Sequence, residues 1–434
     1  MIKFEKFKTP ALICLILFLL GFGIYTTWRT HDNSTDFDTY YFAAKEALAG
    51  ASVYLEHKDV SPYIYPPFFA CLIAPLAFFG MEAASFIWYA LSITLAFLSL
   101  FMCFRFIFGR EKIATVLGSI PLVPKALFLV VASGLLLDNL SMLQVNIMLV
   151  FLILAAIYFF KRKMDIPAGL FLAAAISIKI TPVLFLIYFA VKREFRICIF
   201  TALWGIIFSL GIPSLYLGFG DALQGLIAWT NNMLFNSVSV APNNNTISSM
   251  FNPENQSVAA FFSRLLVKND FSIIHLKRMA HEYPVFLMNW SFNLSGISAL
   301  WASKVIVLIL LITTFGSCLK KIKDRQSWAL NFEYALVFLA ALIANPILKT
   351  QQMIFLLFPA LFMLSRLRER GRNYQLFYFG FFSFCVFYLL QADRIFKILG
   401  GGTLSILCLW GLVLIGYREF LRGTLPVGGK ERVG

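Results

Sequence analysis

Runs of about 17 to 25 apolar residues, broken by short polar clusters, recur along the whole chain, and each can cross a hydrocarbon layer of about 30 Å as a helix. The breaks are themselves patterned. Lysine and arginine gather at Lys3/Lys6/Lys8, Arg105/Arg110/Lys112, Lys161/Arg162/Lys163, Lys192/Arg193/Arg196, Lys320/Lys321/Lys323/Arg325, Arg366/Arg368/Arg370/Arg372 and Arg418/Arg422. Such clusters mark the cytoplasmic ends of spans. With both termini cytoplasmic, consecutive clusters predict one span out and one back: 11–28 and about 83–104, then about 114–137 and 142–160. Fewer than 30 residues separate Lys163 from Lys192, too few for two ordinary spans. A short hairpin is predicted there, with Lys179-Ile180-Thr181-Pro182 at its apex near the outer face, where proline ends the incoming helix. The remaining spans are 196–219, 299–319, 328–347, 351–365, 374–390 and 401–417, for about twelve membrane segments in all.

The pattern thus predicts an all-α polytopic membrane protein, a bundle of about 10 to 12 helices forming one integral domain over residues 1–434. Two external segments, 29–82 and 220–297, are rich in aromatic, Asn and Pro residues, and chemistry is expected there because loops on a rigid scaffold carry it. Within the first, TDFDTYYFAAKEALAG (35–50) has Phe37, Tyr40, Tyr41, Ala44 and Leu48 at helical spacing and Gly50 as a stop, predicting a helix lying along the membrane surface. Next, SPYIYPPFFACLIAPLAFFG (61–80) has paired prolines that break helices and predict extended backbone, either a rigid re-entry loop or an aromatic wall for a sugar or lipid.

Composition agrees with a membrane solvent: 60% of residues are hydrophobic and 14% charged, with a mean hydropathy of +0.79. The net charge of +15 lies in loop clusters rather than in a stripe with interleaved aromatics, which is topology and excludes a nucleic-acid partner. Five of the seven cysteines (Cys14, Cys103, Cys198, Cys318, Cys408) sit inside apolar runs and no C-x-x-C pair occurs, so neither a disulfide frame nor a metal site is indicated. The amino-terminal run ends in Trp28-Arg29 without a small-residue cleavage site, and is expected to be an uncleaved first span.

The candidate chemistry is sparse. Thr35 followed by Asp38 has the form of a capping box, which gives Asp38 a structural role as well as a candidate substrate-binding one. Asp36 is not needed as a cap, has Tyr40 one turn later on the same face, and is the candidate catalytic carboxylate. Asp138, Asn139, Gln144 and Asn146 put polar groups at membrane depth, where they face a cavity or bond to one another. Lys179 needs water or an anion, so it either snorkels or meets a lipid phosphate.

The order Asp36-Phe37, Tyr40-Tyr41, Ala43-Ala44, Gly50, Tyr54, Tyr63, Tyr65-Pro66-Pro67, Pro75-Leu76 resembles glycosyltransferase family 87, a group of polytopic GT-C enzymes that includes polyprenol-phosphate-mannose-dependent mannosyltransferases. Gln144-Val145-Asn146, Gly169, Ile178 to Pro182, Asn255-Gln256-Ser257, Arg264-Leu265-Leu266, Asn345-Pro346 and Pro359 follow in the same order. The resemblance implies a GT-C-like bundle with external juxtamembrane helices and an external cavity, Asp36 as its catalytic aspartate, and a hexose, most commonly mannose, taken from a polyprenyl-phosphate-sugar donor to a glycolipid or glycan hydroxyl. Asp38, Tyr40, Tyr65, Gln144, Asn146, Lys179, Asn255, Gln256, Arg264 and Lys349 are then the candidate substrate-binding residues. One departure stands out: relatives look like S-P-x-x-W-x-H-H where this chain has Asn345 to Gln352, so Lys349 or Gln352 replaces a histidine or the donor differs.

The implied mechanism is inverting, with Asp36 as general base and cations stabilising charge on the leaving phosphate. No acidic cluster typical of a Mg²⁺ or Mn²⁺ site is visible, so metal-independent catalysis without a cofactor is expected. The expected location is a bacterial inner membrane with the active site extracytoplasmic. A transporter or flippase is the competing class, but such folds commonly have two related halves, and segments 29–82 and 220–297 do not resemble each other. An O-antigen ligase or polymerase is a nearer rival; it would need a lipid diphosphate donor and would use basic residues such as Arg264, Lys277 and Arg278.

Overall fold

A computed structural model of the chain describes residues 5–30, 35–231, 252, 254–266, 294–368 and 373–423. The described residues are helical with no strand, as an apolar solvent requires of an open chain, because a helix satisfies its own backbone groups. The first helix, α1 (Glu5–Arg29), is followed by a short α2 (Asp36–Leu48) and α3 (Pro67–Ile73), then α4 (Met81–Phe108), α5 (Ile113–Ser119), α6 (Leu122–Ser141) and α7 (Asn146–Lys161). The predicted hairpin is α8 (Asp165–Ile178) and α9 (Val183–Val191), with Lys179 at the break. A continuous path through α10 (Phe195–Ile206), a π-helical turn (Ile207–Gly211) and α11 (Ile212–Leu217) leads into α12 (Phe219–Trp229). After α13 (Val258–Leu266) come α14 (Gly296–Ser317), α15 (Leu330–Ile343), a 3₁₀ segment (Thr350–Leu356) running into α16 (Leu357–Arg366), α17 (Tyr374–Leu390), α18 (Arg394–Ile398) and α19 (Gly401–Leu421).

Five of these are long and apolar enough to span: α4, α6, Phe195–Leu217, Ile297–Ser317 and α19. Shorter apolar helices, α7, α8, α15 and α17 among them, lie between them, as the apolar runs predicted. One contiguous core of buried residues runs from Phe37 to Tyr417, and α15 is buried along its whole length. α8 packs on both α7 and α10, closely enough at Gly169 that a Cβ there would lie 2.6 Å from Phe200 Cβ and 2.8 Å from the Thr201 nitrogen.

The basic turns meet at one end of the bundle. Arg325 pairs with Asp165 and Glu194 at 2.5 Å each, joining the α7–α8 and α9–α10 turns. Gln326 donates to the Lys161 carbonyl, Trp328 to the Ile107 carbonyl, and Arg368 pairs with Glu111. Asp36 and Lys179 lie at the opposite ends of α7 and α8.

Segment 61–80 departs from expectation. Pro67 to Ile73 is α-helical and Ala74–Phe78 is 3₁₀, not extended. The prolines stand at the cap and first helical position, where no hydrogen bond is lost, so they start the helix instead of breaking it. Lys3, Arg370, Arg372, Lys277 and Arg278 lie outside the described residues.

Candidate active site

The site grows from the start of α2. Thr35 caps it in extended conformation, its N–H donating to Asp38 Oδ2 at 2.9 Å and its hydroxyl to Oδ1 at 3.2 Å. This is the capping geometry that the sequence predicted. It turns the Asp38 carboxylate back onto the helix end and buries it to 1% exposure. Asp36, the first residue of the helix, is only half-buried, and its N–H donates to the Met142 carbonyl at 3.1 Å. At the other end Gly50, with φ +69°, supplies the left-handed stop.

Met142 belongs to the turn between α6 and α7, where three of the candidate residues meet. Leu143 is left-handed at φ +52° and is held there by the Trp88 indole, which donates to its carbonyl at 2.9 Å. The Asn146 amide then donates to Gln144 Oε1 at 3.1 Å and to Asn139 Oδ1 at 3.4 Å. Asn146 Oδ1 in turn accepts from Lys179 Nζ at 3.4 Å. Lys179 therefore points inward and does not snorkel.

Tyr65 completes this side. Lys179 Nζ lies 5.9 Å from its ring centroid, and its hydroxyl is 3.1 Å from that of Tyr40, whose ring meets Tyr65 edge-on at 5.3 Å. Tyr40 is buried against Phe69 and Trp88, so it supports the wall rather than opening onto the cavity. Burial raises the Asp36 carboxyl above the ordinary aspartate range, with Lys349 and then Lys179 pulling it back down. Burial likewise pushes Asp38 up, to about 6, against its two bonds from Thr35. The arrangement is one half-buried carboxylate within the electrostatic reach of two lysines, one of them over the Tyr65 ring, and is suited to accepting a proton beside a bound anion.

The profile of glycosyltransferase family 87 matches residues 63–346, more than half of the chain. The chain belongs to glycosyltransferase family 87. It is 26% identical over 281 residues to a polyprenol-phosphate-mannose-dependent alpha-(1-2)-phosphatidylinositol mannoside mannosyltransferase of Mycobacterium tuberculosis (strain H37Rv), covering 60% of this chain and 61% of that protein. To the protein of the same name from Mycolicibacterium smegmatis it is 26% identical over 247 residues, covering 53% of this chain and 52% of the other. The chain thus spans about half to three fifths of the length of these curated relatives. No solved structure matches it.

In this family 87 protein the later motif residues act on the segment that carries Lys349. Asn255 donates to the Pro346 carbonyl at 3.1 Å and accepts from the Leu348 N–H at 3.0 Å; the Gln256 N–H donates to the Leu348 carbonyl at 2.8 Å. The Gln256 side chain ties that segment to Lys397 and Gly402, and Arg264 donates to the Asn252 and Asn255 carbonyls. Asn255, Gln256 and Arg264 are thus brought together as a brace behind the site, while Lys349 itself is exposed. A small cavity opens beside Lys179, lined by Asn146, Thr181, Asn345 and Gln352. With its amide oxygen toward the ammonium, Gln352 accepts from Lys179 Nζ at 3.3 Å. The sequence pointed to Gln352 only through the missing histidine, and to Trp88 and Leu143 not at all, since an aromatic in an apolar run carries no sign of its partner.

Proposed function

We propose that the protein transfers a hexose, mannose in the first instance, from a polyprenyl-phosphate sugar to a hydroxyl of a glycolipid or glycan on the extracytoplasmic face of a bacterial inner membrane. Family membership supports the reaction class, and the relatives' names support the donor. The half-buried carboxylate of Asp36, within the electrostatic reach of Lys349 and Lys179, is the observation that carries the reading. In this mechanism the acceptor oxygen bonds to the anomeric carbon with inversion. Its proton passes to Asp36, and the bond from that carbon to the phosphate oxygen breaks, releasing polyprenyl phosphate. Lys179, fixed by Asn146 and Gln352, and Lys349 on its braced segment stabilise the charge left on the phosphate. Lys179 and Lys349 bring two positive charges to a monophosphate leaving group, and on this reading the reaction proceeds without a metal ion. The basic end of the bundle, with both termini, faces the cytoplasm.

The test is transfer of radiolabelled mannose from polyprenyl-phosphate-mannose into an extract of membrane lipids and glycans by the purified chain in nanodiscs, with mass spectrometry of the product. Asp36→Asn is expected to lower the rate by about 10²-fold or more with the folded elution profile kept, and EDTA to leave it unchanged. Undiminished transfer in Asp36→Asn removes the base assignment; loss in EDTA restored by one divalent ion removes metal independence.

A further inference from the structure

A second concave surface, separate from the small cavity beside Lys179, is not used by the mechanism above. It is a groove of about 610 Å³ between the first external segment and α12, within the range of about 300–1,000 Å³ usual for small-molecule sites. Its floor is aromatic and fixed. Tyr54 donates its hydroxyl to the Tyr65 carbonyl at 3.0 Å, Tyr63 to the Pro66 carbonyl at 3.1 Å, and the Trp229 indole to the Ile64 carbonyl at 3.0 Å. Their polar ends are thereby occupied by backbone. Its rim carries Glu56, Asp221 and Gln224, all exposed and with no side-chain bond to another described residue. Among the described residues no lysine, arginine or histidine lines it.

That composition selects the occupant. Two carboxylates without a cation repel a phosphate, and they accept hydrogen bonds from hydroxyls in the way a sugar offers them; the rings offer flat apolar surface to sugar C–H faces. The charge is divided between two sites: lysines near Asp36, acids and aromatics here. Tyr65 links the two: the groove-lining Tyr63 packs against its ring at 5.7 Å, and Lys179 Nζ lies 5.9 Å from its centroid. α12 sets the depth. Phe219, Leu223 and Ile227, every fourth residue, are exposed apolar groups on one face, while Asp221, Gln224 and Gly225 border the groove on another. A Cβ at Gly225 would lie 3.3 Å from Pro67 Cγ, so glycine lets the helix close down on α3. An amphipathic helix of this kind lies at the headgroup layer of a bilayer.

We propose that this groove is a binding subsite for an uncharged, hydroxyl-rich sugar, and, resting on the transferase reading, that the sugar is the acceptor's. Its occupant is held against Tyr63, whose ring packs on Tyr65, so that its free hydroxyl is presented toward Asp36. The chemistry is the same whether the sugar is a soluble glycan or the headgroup of a glycolipid.

The experiment is saturation-transfer difference NMR of full-length protein in nanodiscs, without donor, using α-1,2-mannobiose as probe. Saturable transfer to the sugar ring protons is expected, reduced at least five-fold in Glu56→Gln and in the double variant Asp221→Asn/Gln224→Ala. Because these side chains are exposed and unbonded, both variants are expected to fold, and unchanged thermal unfolding checks it. Displacement of the probe by dimannosyl diacylglycerol in the nanodisc identifies a lipid-borne sugar; no displacement identifies a soluble one, and either upholds the subsite. Absence of transfer, equal signal in both groove variants, or displacement of the probe by millimolar Mg²⁺ overturns it. Binding is measured also in Asp36→Asn, so a failed transferase reading and a failed groove are told apart. In the transfer assay the groove variants are expected to raise the acceptor KM at least five-fold without moving the donor KM.

Discussion

Two aspartates two residues apart on one helix have different surroundings, and the separate tasks proposed for them follow from what each touches. Asp38 accepts both bonds from Thr35 and is sealed away. Removing it as Asp38→Ala is expected to cost about 1 kcal/mol of stability, as for a lost helix cap, with transfer retained in the folded fraction; thermal unfolding alongside the transfer assay checks both. Its raised affinity for protons has a signed consequence. Between the ordinary aspartate range and about 6 the folded chain holds a proton that the unfolded chain releases, so stability falls as pH rises through that window. The unfolding temperature is expected to be lower at pH 7 than at pH 5, and Asp38→Asn to reduce the difference. Asp36, also raised by burial, must be ionised to accept a proton. The transfer rate is expected to climb with pH through an ionisation above the usual carboxylate range of about 3.9. A pH profile flat down to pH 4 would remove Asp36 from the role.

At the level of elements, side chains far apart in sequence lock the helices. Glu333 of α15 accepts from Tyr188 at 2.7 Å and Lys192 at 2.9 Å at the end of α9, and from Tyr417 of α19. Glu333 and Lys192 are 3% and 2% exposed, so Glu333→Ala leaves a buried ammonium without its counter-ion, at a cost of about 3–5 kcal/mol. Thermal unfolding in detergent is expected to show that loss, and the double variant Glu333→Met/Lys192→Met to recover part of it. The elements themselves were largely legible in the chain: apolar runs gave the spans, and the short interval from Lys163 to Lys192 gave the α8–α9 hairpin. The 67–78 helix was not, because a proline pair reads as a breaker unless its position relative to the helix start is known. Nor were the brace roles of Asn255 and Gln256, whose partners Pro346 and Lys397 lie 91 and 141 residues away. Sequence order can place such residues near a site without saying which way they face.

Across the whole molecule, charge is sorted by end. The basic turns joined by Arg325 and Arg368 lie together, and Asp36 lies at the other end of the helices between them. Single cysteines at exposed positions test the orientation proposed here: Ser52→Cys is expected to react with a membrane-impermeant maleimide in intact cells, and Lys163→Cys only after permeabilisation. The reverse pattern would place the carboxylate inside and remove the proposed reaction from the outer face. The short α8 has a further consequence. Its 14 residues rise about 21 Å, about 9 Å less than the thickness of a hydrocarbon layer of about 30 Å. On the proposed reading, a glycosyl phosphate that reaches Lys179 at the end of so short a helix leaves bulk water behind, so the competing nucleophile in greatest supply is kept from the anomeric carbon, and the length of a single helix disfavours hydrolysis of the donor.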